Sequence, residues 1–197
     1  MTAQKRIYLA GPDVFLRNAT ELFAKKKAIC AAHGFTGVSP LDNELDLSGQ
    51  SKAEAAMNVS RGNERTMDDC DLIVANMTPF RGPSTDVGTA YEMGYMRAQG
   101  KPVFAYTNNS EDYLTRVAHH FGVSVKSLAL RSGTDVRDDP DGMYIEPFGL
   151  RDNLMLIGAV DAQKADVSAP SAGMDLRFQD LECFTAAVRS AKEYFSG

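Results

Sequence analysis

LIVANMTPFRGPSTDVGTAYEMGYM, residues 72–96, carries the clearest architectural signal in the chain. Its first six residues, apolar except for Asn76, form a run too short for a helix and bounded by turn residues, which reads as a strand buried on both faces. Pro79, Gly82 and Pro83 then stiffen and turn the chain, and a helix pattern follows over 86–99. Such a strand, opening through a tight loop into an apolar helix, is half of a β-α-β unit.

The same alternation continues outward in both directions. Strands are expected at 6–10, 35–38, 72–77 and 103–106, and helices at 18–33, 53–69 and 86–99. Gly34 punctuates the end of the first helix and Gly100-Lys101-Pro102 the end of the third. Strands that read as apolar runs rather than alternating ones imply a parallel sheet covered on both faces. The expectation is therefore an α/β fold, a flavodoxin-like (Rossmann-like) doubly wound parallel sheet of about five strands, forming one domain over 1–197. Beyond Asn108 a polar connection leads into a short helix ending at His120. The acidic, turn-rich stretch 131–142 reads as a loop or lid, and two helical patterns follow at 152–164 and 175–195.

Composition excludes several classes. The chain has 197 residues, 44% hydrophobic and 24% charged, with no apolar run near the roughly 18–20 residues needed to span a bilayer. The N-terminus lacks the long apolar region of a signal peptide, which reads as a cytoplasmic protein. A net charge of −5, with Lys25-Lys26-Lys27 as the single basic cluster along a helix, argues against a nucleic-acid polymer as partner. Cys30, Cys70 and Cys183 form no CxxC pair, and His33, His119 and His120 have no metal-ligand spacing, so neither a metal nor a cofactor is expected. No GxxxxGK[ST], GxGxxG or GxSxG motif is present.

In an open parallel sheet, ligands bind beyond the carboxyl ends of the strands. This selects Gly11-Pro12-Asp13-Val14-Phe15 after the first strand, Asn63 near the end of the second helix, and the segment holding Asp86 and Glu92. Glu92 is the sole charge from Val87 to Met96. A solvated residue, a paired buried glutamate and a functional carboxylate are the three readings open to it. The apolar neighbours favour the last, and Gly88, one turn earlier, leaves space beside it for a ligand. Asp86 taken alone reads equally as a helix cap. Together, two carboxylates at one strand end are what cleavage at a sugar's anomeric carbon requires, one to attack and one to manage the leaving group's proton.

Three motifs resemble the nucleoside 2-deoxyribosyltransferase family: Tyr8-Leu9-Ala10-Gly11-Pro12, the run from Cys70 to Pro83, and Asp86-Val87-Gly88-Thr89-Ala90-Tyr91-Glu92-Met93-Gly94-Tyr95 continuing into Gly100-Lys101-Pro102-Val103, with Asp152-Asn153-Leu154-Met155 further on. The resemblance implies exchange of the 2-deoxyribosyl group between 2′-deoxynucleosides and free purine or pyrimidine bases. Glu92 matches the nucleophile, Asp86 the residue that contacts the substrate and relays a proton, and Tyr8 the residue that orients the nucleophile. Gly11, Asp13, Phe15, Asn63 and Gly88 fall in the substrate-binding segments. It also implies a homo-oligomer, a dimer or trimer of dimers, in which Asn153 and Met155 close a neighbour's site over the sugar. Asn63 stands where family members have a second base-contacting aspartate, so the range of bases is expected to differ. The chain also continues through 175–197 where others end in an active-site tyrosine. Two alternatives remain open at this point. One is hydrolysis of a deoxynucleoside 5′-monophosphate, with Arg17 and Arg81 as candidate phosphate ligands, and the other is a nucleoside-binding module without catalysis.

Overall fold

Every residue of 72–76 is buried, as a strand covered on both faces must be. In the computed structural model, which describes residues 4–163, 165–174 and 176–196, this strand sits at the centre of a parallel sheet. The strands are β1 (Arg6–Ala10), β2 (Thr36–Val38), β3 (Leu72–Asn76) and β4 (Val103–Tyr106), in the order β2-β1-β3-β4. The chain leaves β1 toward β2 on one side and returns past it to β3 on the other. That reversal opens a crevice at the carboxyl ends of β1 and β3.

Side-chain alternation divides the core into two layers. Ile7, Leu9, Leu72, Val74 and Phe104 face α1 (Ala19–Ala32) and α6 (Glu182–Tyr194). Tyr8, Ala10, Ile73, Ala75 and Val103 face α3 (Val87–Ala98) and α5 (Leu154–Asp161). Met67, near the end of α2 (Lys52–Asp68), joins the second layer. The register Tyr8↔Ile73 thus puts a tyrosine from the middle of β1 under α3.

Two expectations are corrected and one is refined. The sheet has four strands rather than about five. The fifth place, beside β4, is held by the isolated parallel bridge Tyr106↔Ser168, with Thr107 N–H donating to the Ser168 carbonyl at 2.8 Å and Ser168 N–H to the Ala105 carbonyl at 3.0 Å. Pro170, two residues on, has no N–H with which to extend the ladder. The 131–142 stretch is turn-rich, as expected, but Arg137–Asp138 pins it. It belongs to a small antiparallel sheet of β5 (Ala129–Leu130), β6 (Arg137–Asp138) and β7 (Tyr144–Ile145), where Leu128 and Ile145 pack with Val117 and Ala118 of α4 (Tyr113–His120). The last two helices are shorter than their periodicity suggests. Among the expected helix ends, Lys164 and Asp175 lie outside the described residues, as does Gly197. Ahead of α6, the Asn108 side chain donates to the carbonyls of Arg177 and Asp180 at 2.8 and 3.1 Å, holding that segment out of helix.

The loop after β1 is anchored by a buried ion pair. Lys26 Nζ lies 2.8 Å from Asp13 Oδ2, both side chains almost wholly shielded from solvent, and Asn76 at the end of β3 donates to the same carboxylate. The ammonium is ringed by Phe23, Tyr106 and Phe184 at 5.2–5.4 Å. Burial pulls Lys26 below the usual lysine range and Asp13 opposes that pull. Removing one partner strands the other charge in the core, so Lys26→Met is expected to lower stability by about 3–5 kcal/mol. Urea unfolding at pH 7 checks this, and adding Asp13→Asn is expected to restore part of the loss.

Candidate active site

Glu92 lies in the middle of α3 with its side chain turned toward the sheet. Tyr8, fully buried, donates its hydroxyl to Glu92 Oε1 at 2.7 Å. Burial pushes the Glu92 carboxyl up to about 7; the Tyr8 hydrogen bond opposes the shift and the negative Asp86 nearby adds to it. Tyr8 is itself driven well above the usual phenol range by burial and by Glu92, so it stays a proton donor to the carboxylate.

Asp86 is the N-cap of α3. Its Oδ2 accepts from Thr89 N–H at 2.9 Å and from the Thr89 hydroxyl at 3.1 Å, leaving Oδ1 without a hydrogen bond among the described residues. Cap and chemistry are therefore compatible, because one oxygen closes the helix end and the other remains open. A Cβ at position 88 would stand 3.1 Å from Asp86 Oδ2, so Gly88 gives that carboxylate room.

Gly88 and Glu92 line one wall of a cavity of about 370 Å³, and Val59, Ser60 and Asn63 of α2 line the other. That volume falls within the ~300–1,000 Å³ range of small-molecule sites. Of the larger grooves, those of about 530 Å³ along the start of α2 and about 710 Å³ beneath Phe35 and Phe195 each carry a single carboxylate. One of about 400 Å³ between the 42–45 segment and α2 carries Asp42, Glu44 and Asp69, and there Asp42, against the pull of burial, is held below the usual carboxylate range by Lys27 and Ser39. Among the described residues, only the α2–α3 cavity is lined by a carboxyl shifted toward neutrality.

The remaining predicted residues divide into two groups. Gly11 is a steric necessity: at φ 152°, a Cβ would come within 2.5 Å of Asp13 Oδ2 and 2.6 Å of Asn76 Cβ. Asp13 does not line the cavity, since both its oxygens serve the buried pair with Lys26 and Asn76. Phe15 is 58% exposed and stacks on Phe80 at 5.2 Å, and the Arg81 guanidinium covers both rings. Arg81 holds this position in a left-handed backbone (φ 55°), a conformation uncommon outside glycine. Asn153, the N-cap of α5, borders a separate cavity of about 350 Å³ with Tyr113 and Tyr144, and Met155 beside it is 73% exposed. Within one chain, Asn153 and Met155 are thus apart from the Glu92 cavity.

Sequence reading missed the groups that support the site. Asp152 is buried and its Oδ2 accepts from Thr85 N–H, the Thr85 hydroxyl and Arg116 at 2.9–3.0 Å, while Oδ1 accepts from Asn153 N–H at 2.8 Å. One carboxylate thereby fixes the residue before Asp86 and the residue after itself. Tyr91 donates to Glu64 across the cavity mouth at 2.5 Å, and Asn43 holds Asn63. The partners of Asn63, Glu64 and Thr85 lie 20 to 67 residues away along the chain, so no local pattern announces them.

Fold and site together define a doubly wound α/β protein with a half-buried carboxylate pair at the carboxyl end of its sheet. The chain belongs to the nucleoside 2-deoxyribosyltransferase family, whose model matches residues 7–155. An uncharacterized protein of Schizosaccharomyces pombe is 34% identical over 160 residues, covering 78% of this chain and 76% of that protein. A 2-desoxiribosyltransferase from Leishmania mexicana superposes with a TM-score of 0.62 at 26% identity, covering 96% of this chain and 97% of its own. A conserved protein from Enterococcus faecalis, 19% identical with a TM-score of 0.51, covers 96% of this chain and 99% of its own and shares the fold. Among the described residues, no helix is long and apolar enough to cross a membrane.

Because the folded-state pKa of Glu92 is raised, the stability it lends is complete below the ordinary glutamate range and is lost as pH rises through about 7. Glu92→Gln is therefore expected to match the parent in melting temperature near pH 4.5, to exceed it increasingly as pH rises to about 7, and to keep a constant margin at higher pH. Carboxyl-carbon NMR is expected to place the Glu92 midpoint near 7, lower in Asp86→Asn and higher in Tyr8→Phe.

Proposed function

We propose that this chain transfers a 2-deoxyribosyl group between nucleobases by double displacement through an ester on Glu92. The observation that carries the proposal is the Tyr8-held, half-buried carboxylate of Glu92 lining a nucleoside-sized cavity beside Asp86. Tyr8 occupies Oε1, so Oε2 is the atom that attacks C1′. The C1′–N glycosidic bond breaks, its electron pair leaves with the base, and the base takes a proton through Asp86. A second base then attacks C1′ through a ring nitrogen, the ester C–O bond breaks, and Asp86 or solvent accepts the proton displaced from that nitrogen. Two inversions give net retention. The steps balance without a metal or a redox cofactor.

A carboxyl group near pKa 7 is ionised about half the time at neutral pH, so the nucleophile is available without being locked as a solvated anion. A 2-deoxy sugar suits this site because the missing hydroxyl no longer withdraws electrons from the oxocarbenium-like transition state. Both the donor nucleoside and the acceptor base are small molecules, and the α2–α3 cavity is where the reading places them.

The reading includes a homo-oligomer, a dimer or trimer of dimers, because Asn153 and Met155 lie away from the cavity of their own chain. They reach a sugar only when supplied by a neighbouring copy, and the exposed Met57, Val59 and Met155 are apolar side chains such an interface would cover.

Incubation with deoxyinosine, with and without adenine, tests the reaction. Deoxyadenosine formed only when adenine is present is the expected result, whereas hypoxanthine released equally fast without adenine would assign hydrolysis. Binding without turnover would leave a nucleoside-binding module. Glu92→Ala is expected to reduce exchange on the order of 10³-fold or more; near-native exchange removes Glu92 from the role. Asn153→Ala is expected to lower activity, and mixing it with Glu92→Ala protomers to restore a part. No recovery after verified subunit exchange would mean that each site is built from one chain.

A further inference from the structure

The wall of the cavity opposite Glu92 has a fixed hydrogen-bond polarity. Asn43 Nδ2 lies 2.9 Å from Asn63 Oδ1 and 3.3 Å from the Pro40 carbonyl. A carbonyl oxygen cannot donate, so the Asn43 atom facing Pro40 is its amide nitrogen. The Thr66 hydroxyl sits 2.5 Å from Asn43 Oδ1 and 2.9 Å from the Gly62 carbonyl and has one proton to give, so the Pro40 contact is what orients Asn43. Gly62 makes this approach possible: a Cβ there would come within 3.1 Å of Leu45 Cδ1 and 3.5 Å of Asn43 Nδ2, pushing the 40–45 segment off α2. Asn63 must therefore turn its oxygen to Asn43. Its Nδ2 remains, with no protein partner among the described residues, on a side chain that lines the cavity.

We infer that Asn63, oriented by Asn43, offers the base a hydrogen-bond donor alone, and that this selects bases carrying an exocyclic oxo group over those carrying an exocyclic amine. The inference rests on the deoxyribosyltransferase reading of the same cavity. An asparagine grips an adenine edge at two points, accepting from N6 and donating to a ring nitrogen. With Oδ1 committed to Asn43, that grip loses its accepting half and the amine meets N–H. An oxo group at C6 of a purine or C4 of a pyrimidine instead accepts directly from Nδ2. Of the other polar groups on the wall, the Ser60 hydroxyl donates or accepts equally, while Glu64 and Tyr91 are paired with each other at the mouth, so neither has the fixed one-way polarity of the Asn63 amide. Asn63 is thus the wall group that discriminates, and Asn43 is its positioning residue.

The test is a competition between hypoxanthine and adenine for deoxyribosyl groups from thymidine, read as initial rates, with calorimetric binding of each free base alongside. The native protein is expected to favour hypoxanthine about tenfold, the ratio that one satisfied against one opposed hydrogen bond produces. Asn63→Asp, which replaces the donor with an acceptor, is expected to reverse the preference. Asn43→Ala, outside the cavity, is expected to bring the ratio close to one by freeing the Asn63 amide, whereas a merely structural loss would lower both rates together. A native preference for adenine, or a ratio unchanged in both variants, would overturn the inference. If the native protein exchanges neither base, the transferase reading has failed, and the ratio of binding constants still decides the polarity of Asn63. Should Asn43→Ala not fold, Asn63→Asp carries the test.

Discussion

A carboxylate held against the sheet is the constraint around which the rest is arranged. Glu92 belongs to a helix face that otherwise covers the core with Thr89, Met93 and Met96, and a charge there is costly without a partner. Tyr8 supplies one hydrogen bond, from a strand 84 residues away. That bond needs β1 beside β3 in the register Tyr8↔Ile73, and needs α3 to cross above both. The incomplete compensation is itself useful. With one bond rather than several, Glu92 titrates at about 7 instead of settling as a fully stabilised anion.

The loops at this edge are held by buried ions. Asp13 with Lys26 anchors the turn after β1, and Asp152 with Arg116 anchors Thr85 ahead of Asp86. Breaking such pairs is expensive, so they set loop positions firmly even where surrounding segments are polar. Asp152 also accepts from Asn153 N–H, tying the start of α5 to the start of α3 within one chain. If Asn153 serves a neighbouring copy, a single carboxylate links a chain's own site to the segment it lends.

How legible each part was depends on the range of the interaction involved. The strand 72–76 and helix Val87–Ala98 are read from local periodicity, and their ends fall within one residue of expectation. Asp86 and Glu92 are six residues apart on one element, so their proximity is a property of the chain itself. Lys26 shows the opposite case. In Lys25-Lys26-Lys27 it looks like one of three solvated charges, and only the packing of α1 on the sheet beside α6 puts the middle lysine among aromatic rings. Ser168 gives no strand signal because a single bridge beside β4 needs no alternating run.

The amino-acid sequence by itself determined the alternation of strands and helices, the edge at which loops open, and the two carboxylates that meet there. Each follows from short-range periodicity or from spacing along one helix. Tertiary structure alone decided that Asp13 anchors rather than lines the cavity, that Asn153 and Met155 stand apart from Glu92, and that Asn63 turns its oxygen to Asn43. These outcomes depend on the direction of hydrogen bonds and on which charge finds a partner in the core. Direction and pairing are set by atoms brought together only when distant segments pack.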